Sequence, residues 1–475
     1  MKRTKLILLP FIALVFCCGD CKKSPVVNNN ASVNNATVWI TYANGAQLLS
    51  KQAQTIPFNS IAQSNVPLIT VDTTQSYQQI DGFGYTLTGG SAQLIHAMDV
   101  GARTQLLDEL FGHAENSIGV SYLRISIGAS DLNSEVYSYD DIASGQTDEN
   151  LSQFSLSKDT IDLIPVLQEI LAINPEIKIL GSPWSAPVWM KSNTSSIGGS
   201  LLAQYYASYA QYFVKYIQAM KARGINIDAV TIQNEPENPA NNPSMVMTAT
   251  EQAFFIKNNL GPAFQSAGIN TKIIIYDHNC DHPNYPIAVL NDPQARPYID
   301  GSAFHLYAGD ISAMSSVKTQ FPDKNIYFTE QWTGATGSFS GDLMWHMKNV
   351  IIGSMRNSSK TALEWNLASD NNYLPHTPGG CSECKGALTI NGSTYTKNVS
   401  YYIIAQAAKF VPSGSIRIAS NLVADLPNVA FKTPDGKKVL LVMNETTSNK
   451  KINIGFNNNY AYTTLTAGSI GVYVW

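Results

Sequence analysis

The fold is decided by two consecutive segments, LLAQYYASYAQYFVKYIQAM at 201–220 and AVTIQNEP at 229–236. In the first segment apolar and aromatic side chains recur every three or four residues, which places them on one face of an α-helix. The second segment is a short apolar run that ends in polar residues and a proline, which is typical of a buried strand in a parallel sheet. A helix followed by such a strand, if repeated, predicts an α/β fold.

The strand-like pattern recurs eight times in the central part of the chain. The runs are QQIDGFG (78–84), SYLRISIG (121–128), IKILGSPW (177–184), AVTIQNEP (229–236), KIIIYDHN (272–279), GSAFHLY (301–307), NIYFTEQW (325–332) and TALEWNLA (361–368). Segments with helical apolar spacing lie between them, as at 254–264. Eight alternations of strand and helix predict a (β/α)8 TIM barrel.

The sequence on both sides of the predicted barrel has the character of an antiparallel β-domain. After Ser400, short β-like runs dominate and are separated by Asn, Gly and Thr, as in VLLVMNE (439–445), KKINIGF (450–456) and SIGVYVW (469–475). The predicted domains are N-terminal strands at 37–76, the barrel at 77–398 and a small antiparallel β-sandwich at 399–475. The N-terminal strands are predicted to contribute to the β-sandwich.

The N-terminus has the layout of an export signal. Basic residues at positions 2, 3 and 5 precede an apolar stretch at 6–16 that is too short to span a bilayer. Cys17 and Cys18 follow, and a cysteine at the cleavage point resembles a bacterial lipoprotein signal. We predict a lipoprotein-type signal peptide at 1–18, a lipid anchor on Cys18, a flexible tether at 19–36 and a location in the periplasm or at the cell surface. A plain cleaved signal and lipidation of Cys17 are the alternatives.

The composition excludes several classes of ligand. The formal net charge is −4, only 14% of residues are charged and no Lys/Arg cluster follows the N-terminus. Nucleic acid and anionic membrane surfaces are therefore not expected, and the favoured ligand is neutral. No P-loop, no G-x-S-x-G and no G-x-G-x-x-G after a strand occurs, so no cofactor is predicted. Asp277, His278 and His282 lack a second group of ligands, so no metal is predicted.

Three cysteines follow the leader. Cys381 and Cys384 could form half of a zinc site, but no second Cys or His pair stands at a suitable spacing. A loop disulfide between them is favoured in an exported protein. Cys280 is then expected to be an unpaired, buried thiol.

In a TIM barrel the active site lies at the C-terminal ends of the strands, and these ends are unusually polar and aromatic here. They carry Gly82, Phe83 and Gly84; Arg124 with Asp131 beyond it; Trp184; Asn234 and Glu235; Asp277, His278 and Asn279; His305 and Tyr307; Glu330, Gln331 and Trp332; and Trp365 with Asn366. A purely structural barrel would end its strands mainly in Gly, Asp, Asn and Ser. The set therefore favours a functional mouth.

Two glutamates fall on the fourth and seventh runs, which face each other across a barrel mouth. Cleavage of a glycosidic bond needs an acid to protonate the departing oxygen and a carboxylate to stabilise or trap the oxocarbenium-like centre. Glu235 and Glu330 are predicted to be this pair. Glu237 is expected to be a solvent-facing charge. Asp131, Asn234 and the rings of Trp184, Trp365 and Tyr307 supply the polar groups and stacking surfaces that sugars need, although any single tryptophan has a structural explanation.

Seven ordered blocks resemble glycoside hydrolase family 30, the family of acid β-glucosylceramidase and of bacterial and fungal β-1,6-glucanases. The blocks are GFGYTLTGGSA (82–92), LRISIGASDLNSEVYSYDD (123–141), LGSPWSAPVWMKSN (180–193), VTIQNEPENP (230–239), YFTEQW (327–332), LEWNLASD (363–370) and YYIIAQAAKFVPSGSIRI (401–418). The resemblance implies a retaining mechanism on a (β/α)8 barrel with an attached β-domain built from both chain ends.

The resemblance also implies roles for individual residues. Glu235 of Asn-Glu-Pro would be the acid/base and Glu330 of Phe-Thr-Glu-Gln-Trp the nucleophile, while Arg124 would orient a carboxylate. The residues implied to bind substrate are Asp131, Trp184, Asn234, His305, Tyr307, Trp365 and Asn366. Leu306 departs from the His-Trp-Tyr of glucosylceramidase-like members, which weakens the case for a lipid glucoside.

The expected function is therefore hydrolysis of a β-glucan or β-glucoside by two glutamates, most plausibly as an endo-acting β-1,6-glucanase. Three alternatives stay open within enzymes: an exo-acting β-glucosidase or glucosylceramidase, a β-xylosidase, and a β-fucosidase. A non-catalytic glycan-binding surface lipoprotein is a more distant alternative, because it would be expected to lose one of the two glutamates.

Overall fold

The structure is a computed structural model that describes residues 35–475. The predicted signal peptide, the lipid anchor on Cys18 and almost all of the tether lie outside the described residues. The described chain begins with four strands that precede the barrel. They are β1 (Thr37–Tyr42), β2 (Ser50–Lys51), β3 (Phe58–Asn59) and β4 (Leu68–Gln79). β4 thus continues past the boundary that the sequence predicted at residue 76.

Eight parallel strands close into a barrel. They are β5 (Gly82–Thr86), β6 (Tyr122–Ser126), β7 (Lys178–Ser182), β8 (Ala229–Thr231), β9 (Lys272–Cys280), β10 (Ile299–Gly309), β11 (Asn325–Glu330) and β12 (Ser359–Asn366). Each strand pairs with its neighbour in sequence and β12 pairs with β5. Each of the eight predicted runs overlaps one of these strands, and the prediction of a TIM barrel is confirmed.

Helices cover the outside of the barrel. The α-helices are α1 (Gly89–His96), α2 (Val100–Phe111), α3 (Leu163–Ile173), α4 (Tyr206–Lys221), α5 (Ala249–Phe255), α6 (Gly261–Ser266), α7 (Asn284–Asn291), α8 (Ala313–Gln320), α9 (Phe339–His346), α10 (Gly353–Arg356) and α11 (Val399–Ala408). Single π-helical stretches at Ile256–Leu260 and Met347–Ile352 join α5 to α6 and α9 to α10. Short 3-10 turns lie at Val188–Met190, Ala203–Tyr205 and Arg296–Tyr298.

Helix α4 shows how the apolar spacing builds the core. Its tyrosines 209, 212 and 216 are fully buried, and the rings of Tyr212 and Tyr216 stack on Tyr139 with centroids 5.8 and 5.7 Å apart. Full burial of an aromatic side chain stabilises the fold by about 1.5–3 kcal/mol. The spacing read from the sequence therefore forms the inner face of this helix.

The remaining strands belong to two further sheets. β13 (Ala368–Ser369), β14 (Leu388–Asn391) and β15 (Thr394–Lys397) form a small sheet after the barrel. β16 (Ile416–Ser420), β17 (Asn428–Lys432), β18 (Lys438–Asn444), β19 (Lys450–Phe456), β20 (Asn459–Leu465) and β21 (Ser469–Val474) join the four N-terminal strands in a ten-stranded sheet. β1 pairs antiparallel with β21 over its whole length, so both ends of the described chain meet in the β-domain.

Helix α11 differs from the expectation drawn from the sequence. The predicted boundary assigns residues from 399 onward to the β-domain, yet residues 399–408 are helical and pack against the barrel. The hydroxyl of Tyr85, on barrel strand β5, donates to the carbonyls of Ser400 and Tyr401 at 3.2 and 3.3 Å. The physical reason is that Tyr401, Ile404 and Ala408 recur at helical spacing and are buried, which matches a barrel helix rather than a strand.

Candidate active site

The C-terminal ends of the barrel strands surround a cavity of about 510 Å³. Of the residues that the sequence implied to bind substrate, Asp131, Trp184, Asn234, Tyr307 and Trp365 line it. The two glutamates also line it, together with Glu237, Asn238, Pro239, Asn241, His278, Asn279, Trp332, Cys381 and Cys384. His305 and Asn366 do not line it. Its volume is suited to one or a few sugar rings.

Glu235 and Glu330 approach each other at the base of this cavity. One carboxylate oxygen of each lies within 4.8 Å of the other. Carboxyl groups about 5–5.5 Å apart are typical of glycosidases that retain anomeric configuration, and inverting enzymes need a wider gap for a water molecule. Glu235 lies in the loop after β8 with a backbone φ of 46°, a left-handed conformation that is uncommon for glutamate. Its backbone N–H donates to the carbonyl of Asp277 at 3.0 Å, which holds this strained turn.

Glu330 ends β11 and is held by two donors. Arg124 Nη1 lies 2.5 Å from its Oε2, and the hydroxyl of Tyr307 donates to its Oε1 at 2.8 Å. Burial raises the pKa of Glu330, while the positive charges of His305 and Arg124 oppose that rise. Because the guanidinium stays protonated and Tyr307 donates to the same carboxylate, we assign the ionised form to Glu330.

Glu235 has a different environment. Asn238 Nδ2 donates to its Oε2 at 2.7 Å, and His305 Nδ1 lies 3.3 Å from its Oε1. Burial alone would raise the pKa of Glu235, but the hydrogen bond and charge of His305 outweigh burial and lower this pKa to about 2. In the unliganded protein the proton of the Glu235–His305 pair therefore lies on the imidazole.

His305 lies behind the glutamates instead of on the cavity wall, which differs from its predicted contact with substrate. Its side chain is fully buried, and Nε2 lies 3.1 Å from Oδ1 of Asp277. Burial lowers the pKa of His305, but the charge of Glu330 and the hydrogen bonds to Asp277 and Glu235 raise it overall to about 10. His305 is thus a buried cation that lies close to both glutamates, with 3.7 Å between its Nδ1 and Glu330 Oε1.

Asp277 is the residue whose part in the site was not predicted, although it stands at the end of the fifth run. It has a backbone φ of 63°, and its buried carboxylate accepts hydrogen bonds from Arg124 at 2.8 Å and Thr329 at 2.6 Å. Burial opposes its charge, but Arg124 and His305 together hold the pKa of Asp277 well below its usual range. A positive φ at a strand end cannot be read from an Asp in a single sequence.

Arg124 connects the charged groups to the aromatic wall. Its Nη2 donates to Oδ1 of Asn234 at 2.6 Å, and its guanidinium lies 4.8 Å from the ring centroid of Trp184 and 5.8 Å from that of Trp365. The two indole rings are 5.3 Å apart. The predicted contact of Arg124 with a carboxylate is present, and the stacking on tryptophan adds about 0.5–2 kcal/mol per contact in such settings.

The loop after β12 completes the wall. The disulfide between Cys381 and Cys384 is present, and the N–H of Cys381 donates to Oδ2 of Asp131 at 3.2 Å. Burial, followed by the charge of Glu330, raises the pKa of Asp131 to about 7. Asn366 was expected to bind substrate, but its Nδ2 donates to the carbonyls of Ala368 and Cys384 at 3.2 and 3.4 Å. Its amide therefore holds the chain behind Trp365.

Glu235, His305 and Glu330 offer three possible ligand atoms within 4.8 Å of one another, which raises the question of a metal. A metal would need a lone pair on the imidazole. With a pKa of about 10, His305 carries protons on both nitrogens, and it directs them at Glu235 and Asp277. The donor set therefore suits hydrogen bonding better than metal coordination. Cys280, outside this group, is buried and has no disulfide partner within residues 35–475.

A TIM barrel whose mouth holds two carboxylates at this separation, beside a pair of adjacent tryptophans, defines the class of retaining glycoside hydrolases. Comparison with protein families agrees. The profile of the glycosyl hydrolase family 30 TIM-barrel domain matches residues 80–411, and that of the family 30 beta sandwich domain matches 414–472. The chain belongs to glycoside hydrolase family 30, and it is a glycoside hydrolase.

Several characterised relatives are similar over most of their length. The endo-1,6-beta-D-glucanase neg1 of Aspergillus fumigatus is 36% identical over 405 residues, which cover 79% of this chain and 81% of the relative. The lysosomal acid glucosylceramidase of Mus musculus is 28% identical over 435 residues, covering 86% and 83%. The solved structure of the endo-beta1,6-glucanase BT3312 superposes with a TM-score of 0.86 at 34% identity, covering 93% of this chain and 99% of that one.

Proposed function

We propose that this protein is a retaining endo-β-1,6-glucanase in which Glu330 is the nucleophile and Glu235 the acid/base. The observation that carries the mechanism is the pair of carboxylate oxygens within 4.8 Å at the barrel mouth. The linkage is supported by the similarity to endo-1,6-beta-D-glucanases at 35–36% identity, compared with 28% for the mouse glucosylceramidase.

In the first step the carboxylate of Glu330 attacks the anomeric carbon, and the glycosidic oxygen leaves with a proton from Glu235. Arg124 and Tyr307 hold the two oxygens of Glu330, so one lone pair is aimed at the substrate. Glu235 must hold a proton for this step, and Asn238 and His305 orient its carboxyl group from 2.7 and 3.3 Å. The products of this step are a glucosyl ester on Glu330 and a free hydroxyl on the departing chain.

In the second step Glu235 acts as a base. It removes a proton from a water molecule, whose oxygen attacks the anomeric carbon and releases Glu330. Asn234 lines the cavity, and its Oδ1 is occupied by Arg124. Its amide nitrogen is therefore the group that faces a sugar, and we assign it to the 2-hydroxyl, where hydrogen bonds strengthen in the transition state. Trp184, Trp365 and Asp131 bind the remaining faces and hydroxyls of the ring.

The exo-acting alternatives differ in the leaving group and in the shape of the mouth. At the position where glucosylceramidase-like members have tryptophan, Leu306 is buried with 7% exposure, so it adds no aromatic surface to the mouth. The β-xylosidase and β-fucosidase alternatives have no specific support among the residues described. A catalytically silent glycan binder is disfavoured because both glutamates are present and held in contact with their partners.

Product analysis tests the proposal. With pustulan, laminarin and glucosylceramide as separate substrates, we expect cleavage of pustulan to a series of oligosaccharides at early times. Release of glucose alone from pustulan would favour the exo alternative, and cleavage of glucosylceramide alone would reject the proposed linkage. Proton NMR of the first product should show the β-anomer, and an initial α-anomer would exclude retention.

We also propose that the protein is exported and lipid-anchored through Cys18, which lies outside the described residues. No helix within residues 35–475 combines the length and the hydrophobicity that a membrane span requires. Expression with a radiolabelled fatty acid should label the full chain and not Cys18→Ser. Label retained in Cys18→Ser and lost in Cys17→Ser would move the anchor to Cys17, and no label in the full chain would favour a plain cleaved signal.

A further inference from the structure

One side of the cavity is polar and has no assigned part in the reaction. It is formed by the loop after β8 and by the end of β9, and we name it the β8–β9 rim: Glu237, Asn238, Pro239, Asn241, His278 and Asn279. The other side carries Trp184, Trp332 and Trp365. The cavity therefore has one wall of indole rings and one rim of carboxylate, amide and imidazole groups.

The β8–β9 rim lies next to the acid/base residue. Glu237 is two residues after Glu235, and Asn238 donates to Glu235 Oε2 at 2.7 Å. An acid that protonates a glycosidic oxygen must lie beside the group that leaves with that oxygen. The leaving group is consequently placed against this rim, while the sugar that becomes attached to Glu330 is placed against the tryptophans.

The rim contains hydrogen-bonding capacity that the described residues do not use. His278 is 9% exposed, and its Nδ1 has no hydrogen-bond partner among residues 35–475. The nearest carboxylate oxygen to it is Oε2 of Glu237, at 3.9 Å, which is too long for a hydrogen bond. A buried polar atom without a partner costs about 1–3 kcal/mol, and Nδ1 itself is closed off from the cavity. The other ring nitrogen, Nε2, has no hydrogen-bond partner within residues 35–475 either and keeps accessible surface, so Nε2 is the atom that a ligand in the cavity can contact.

Glu237 is placed to take part in the same contact. Its side chain is 36% exposed at the cavity edge, and Oε2 receives a hydrogen bond from Nδ1 of His282 at 3.0 Å. Its Oε1 has no partner within the described part of the chain. Glu237 is thus exposed, as expected from the sequence, and it is also an oriented carboxylate with one oxygen available to a hydroxyl group.

We infer that the β8–β9 rim is the binding site for the leaving sugar, with Glu237 and His278 hydrogen bonded to its hydroxyl groups. This inference rests on the proposed function, because it concerns the leaving side of the same cleavage. A carboxylate, an imidazole and amides match a polyhydroxylated ring and offer no surface to an apolar lipid tail. The same site receives the acceptor when the glucosyl group on Glu330 is transferred to a sugar instead of water.

The transfer reaction tests the inference without requiring cleavage of a glucan. The donor is 2,4-dinitrophenyl β-glucoside, the acceptor is gentiobiose, and the measured quantity is the ratio of trisaccharide to free glucose. We expect Glu237→Ala to lower this ratio about fivefold or more, since a hydrogen bond between a hydroxyl and a charged group is lost. The matched control is Asp281→Ala, which removes an exposed carboxylate 4.0 Å from the same His282 but outside the cavity lining.

The ratio in Asp281→Ala should equal that of the wild type. An unchanged ratio in Glu237→Ala, an equal fall in Asp281→Ala, or no trisaccharide from the wild type at millimolar acceptor would each overturn the inference. Because His278 is buried, His278→Ala is compared only if its circular dichroism spectrum and Tm match those of the wild type, and it should then lower the ratio as well. A wild type that transfers glucose through Glu237 but leaves pustulan intact would reject the proposed linkage and retain the rim.

Discussion

The two ends of the barrel use charged residues in opposite ways. At the end where the strands begin, Asp81 is surrounded by Lys178, Lys360 and Lys272 at 2.7, 3.4 and 3.8 Å, and all three lysines are partly exposed. At the mouth, Arg124 and His305 face three buried carboxylates, and all the groups are withdrawn from water. An ion pair with a partly exposed partner loses little hydration when it forms. In a fully buried ion pair, the attraction between the two charges must offset the cost of removing both from water.

Residues other than glycine with positive φ angles are more numerous at the mouth than at the end where the strands begin, where Ser358 precedes β12 with a φ of 70°. At the mouth, Glu235, Tyr276 and Asp277 all have positive φ angles of 46, 72 and 63°. Residues other than glycine in this conformation cost roughly 1–3 kcal/mol each, and such strain concentrates at functional sites. The buried charges and positive φ angles at the mouth therefore lower the stability of the folded protein, whereas the charged groups at the opposite end contribute to that stability. Each of the following predictions tests that division.

The largest effect is expected from Glu330→Gln. Loss of the nucleophile should lower kcat on pustulan by about 10⁴-fold or more. The Tm should change by a few degrees at most, since the amide oxygen can still accept from Arg124 and the hydroxyl of Tyr307 can turn to accept from the amide nitrogen. Rate assays and differential scanning calorimetry measure the two quantities. Activity within about tenfold of the wild type would contradict the assigned nucleophile.

Arg124→Gln should affect both stability and catalysis. Removing the guanidinium leaves the carboxylates of Asp277 and Glu330 without their cation, and breaking a buried ion pair costs about 3–5 kcal/mol. The expected result is a lower urea midpoint together with a loss of kcat of about 10²-fold or more. A variant that loses activity but unfolds at the wild-type urea concentration would show that the ion pairs at the mouth do not stabilise the fold.

The Glu235–His305 pair predicts a pH window for stability. The folded pKa of His305 is about 10, above its ordinary value of 6.5, so its contribution is complete below pH 6.5 and is lost as the pH rises through 10. The folded pKa of Glu235 is about 2, below its ordinary value of 4.5, so its contribution is complete above pH 4.5 and is lost as the pH falls through 2.

The pair should therefore stabilise the protein fully between pH 4.5 and 6.5. Calorimetry at pH 6 and pH 9 should show a loss of stability on the order of a few kcal/mol in the wild type, and a smaller loss in His305→Asn. Equal losses in both proteins would show that His305 is not the group that titrates.

The smallest effect is expected at the opposite end of the barrel, from Asp81→Asn. Three partly exposed lysines lose the charge of one buried carboxylate, which should cost about 1–3 kcal/mol of stability. The kcat and KM for pustulan should stay within about twofold of the wild type, because the reaction takes place at the other end of the barrel and does not need the charge of Asp81. A tenfold loss of kcat without unfolding would remove the functional distinction between the two ends.

The predictions from sequence succeeded where a local pattern carries the information. The eight runs overlap the eight barrel strands, and the glutamates at the ends of the fourth and seventh runs meet at the mouth. The boundary at 398/399 was wrong because a change toward β-like composition masked the helical spacing of α11. Apolar runs of this length are ambiguous until a partner surface, here barrel strand β5, is known.

Some of the predicted site residues line the cavity as expected, and others do not. Trp184 ends its run, Trp365 lies in the second half of its run, and both line the cavity. His305 and Asn366 occupy equivalent positions in their runs, but they bond to protein groups behind the cavity. A strand alternates its side chains between two directions, and the bulges in β10 at Phe304/His305 and in the pairing of β12 at Glu364/Asn366 shift that alternation. Such shifts cannot be read from one sequence.

The sequence by itself determined the barrel, the attached β-domain and the place of two glutamates at the barrel mouth, because periodic apolar spacing and strand-end chemistry are local properties. Only the tertiary structure decided how those groups act. It brought Arg124, Asp277 and His305 into contact with the glutamates and placed Glu237 and His278 beside the acid. Burial, charge separation and hydrogen-bond geometry depend on residues far apart in the chain, so the state of each carboxylate could be assigned only once the barrel had closed.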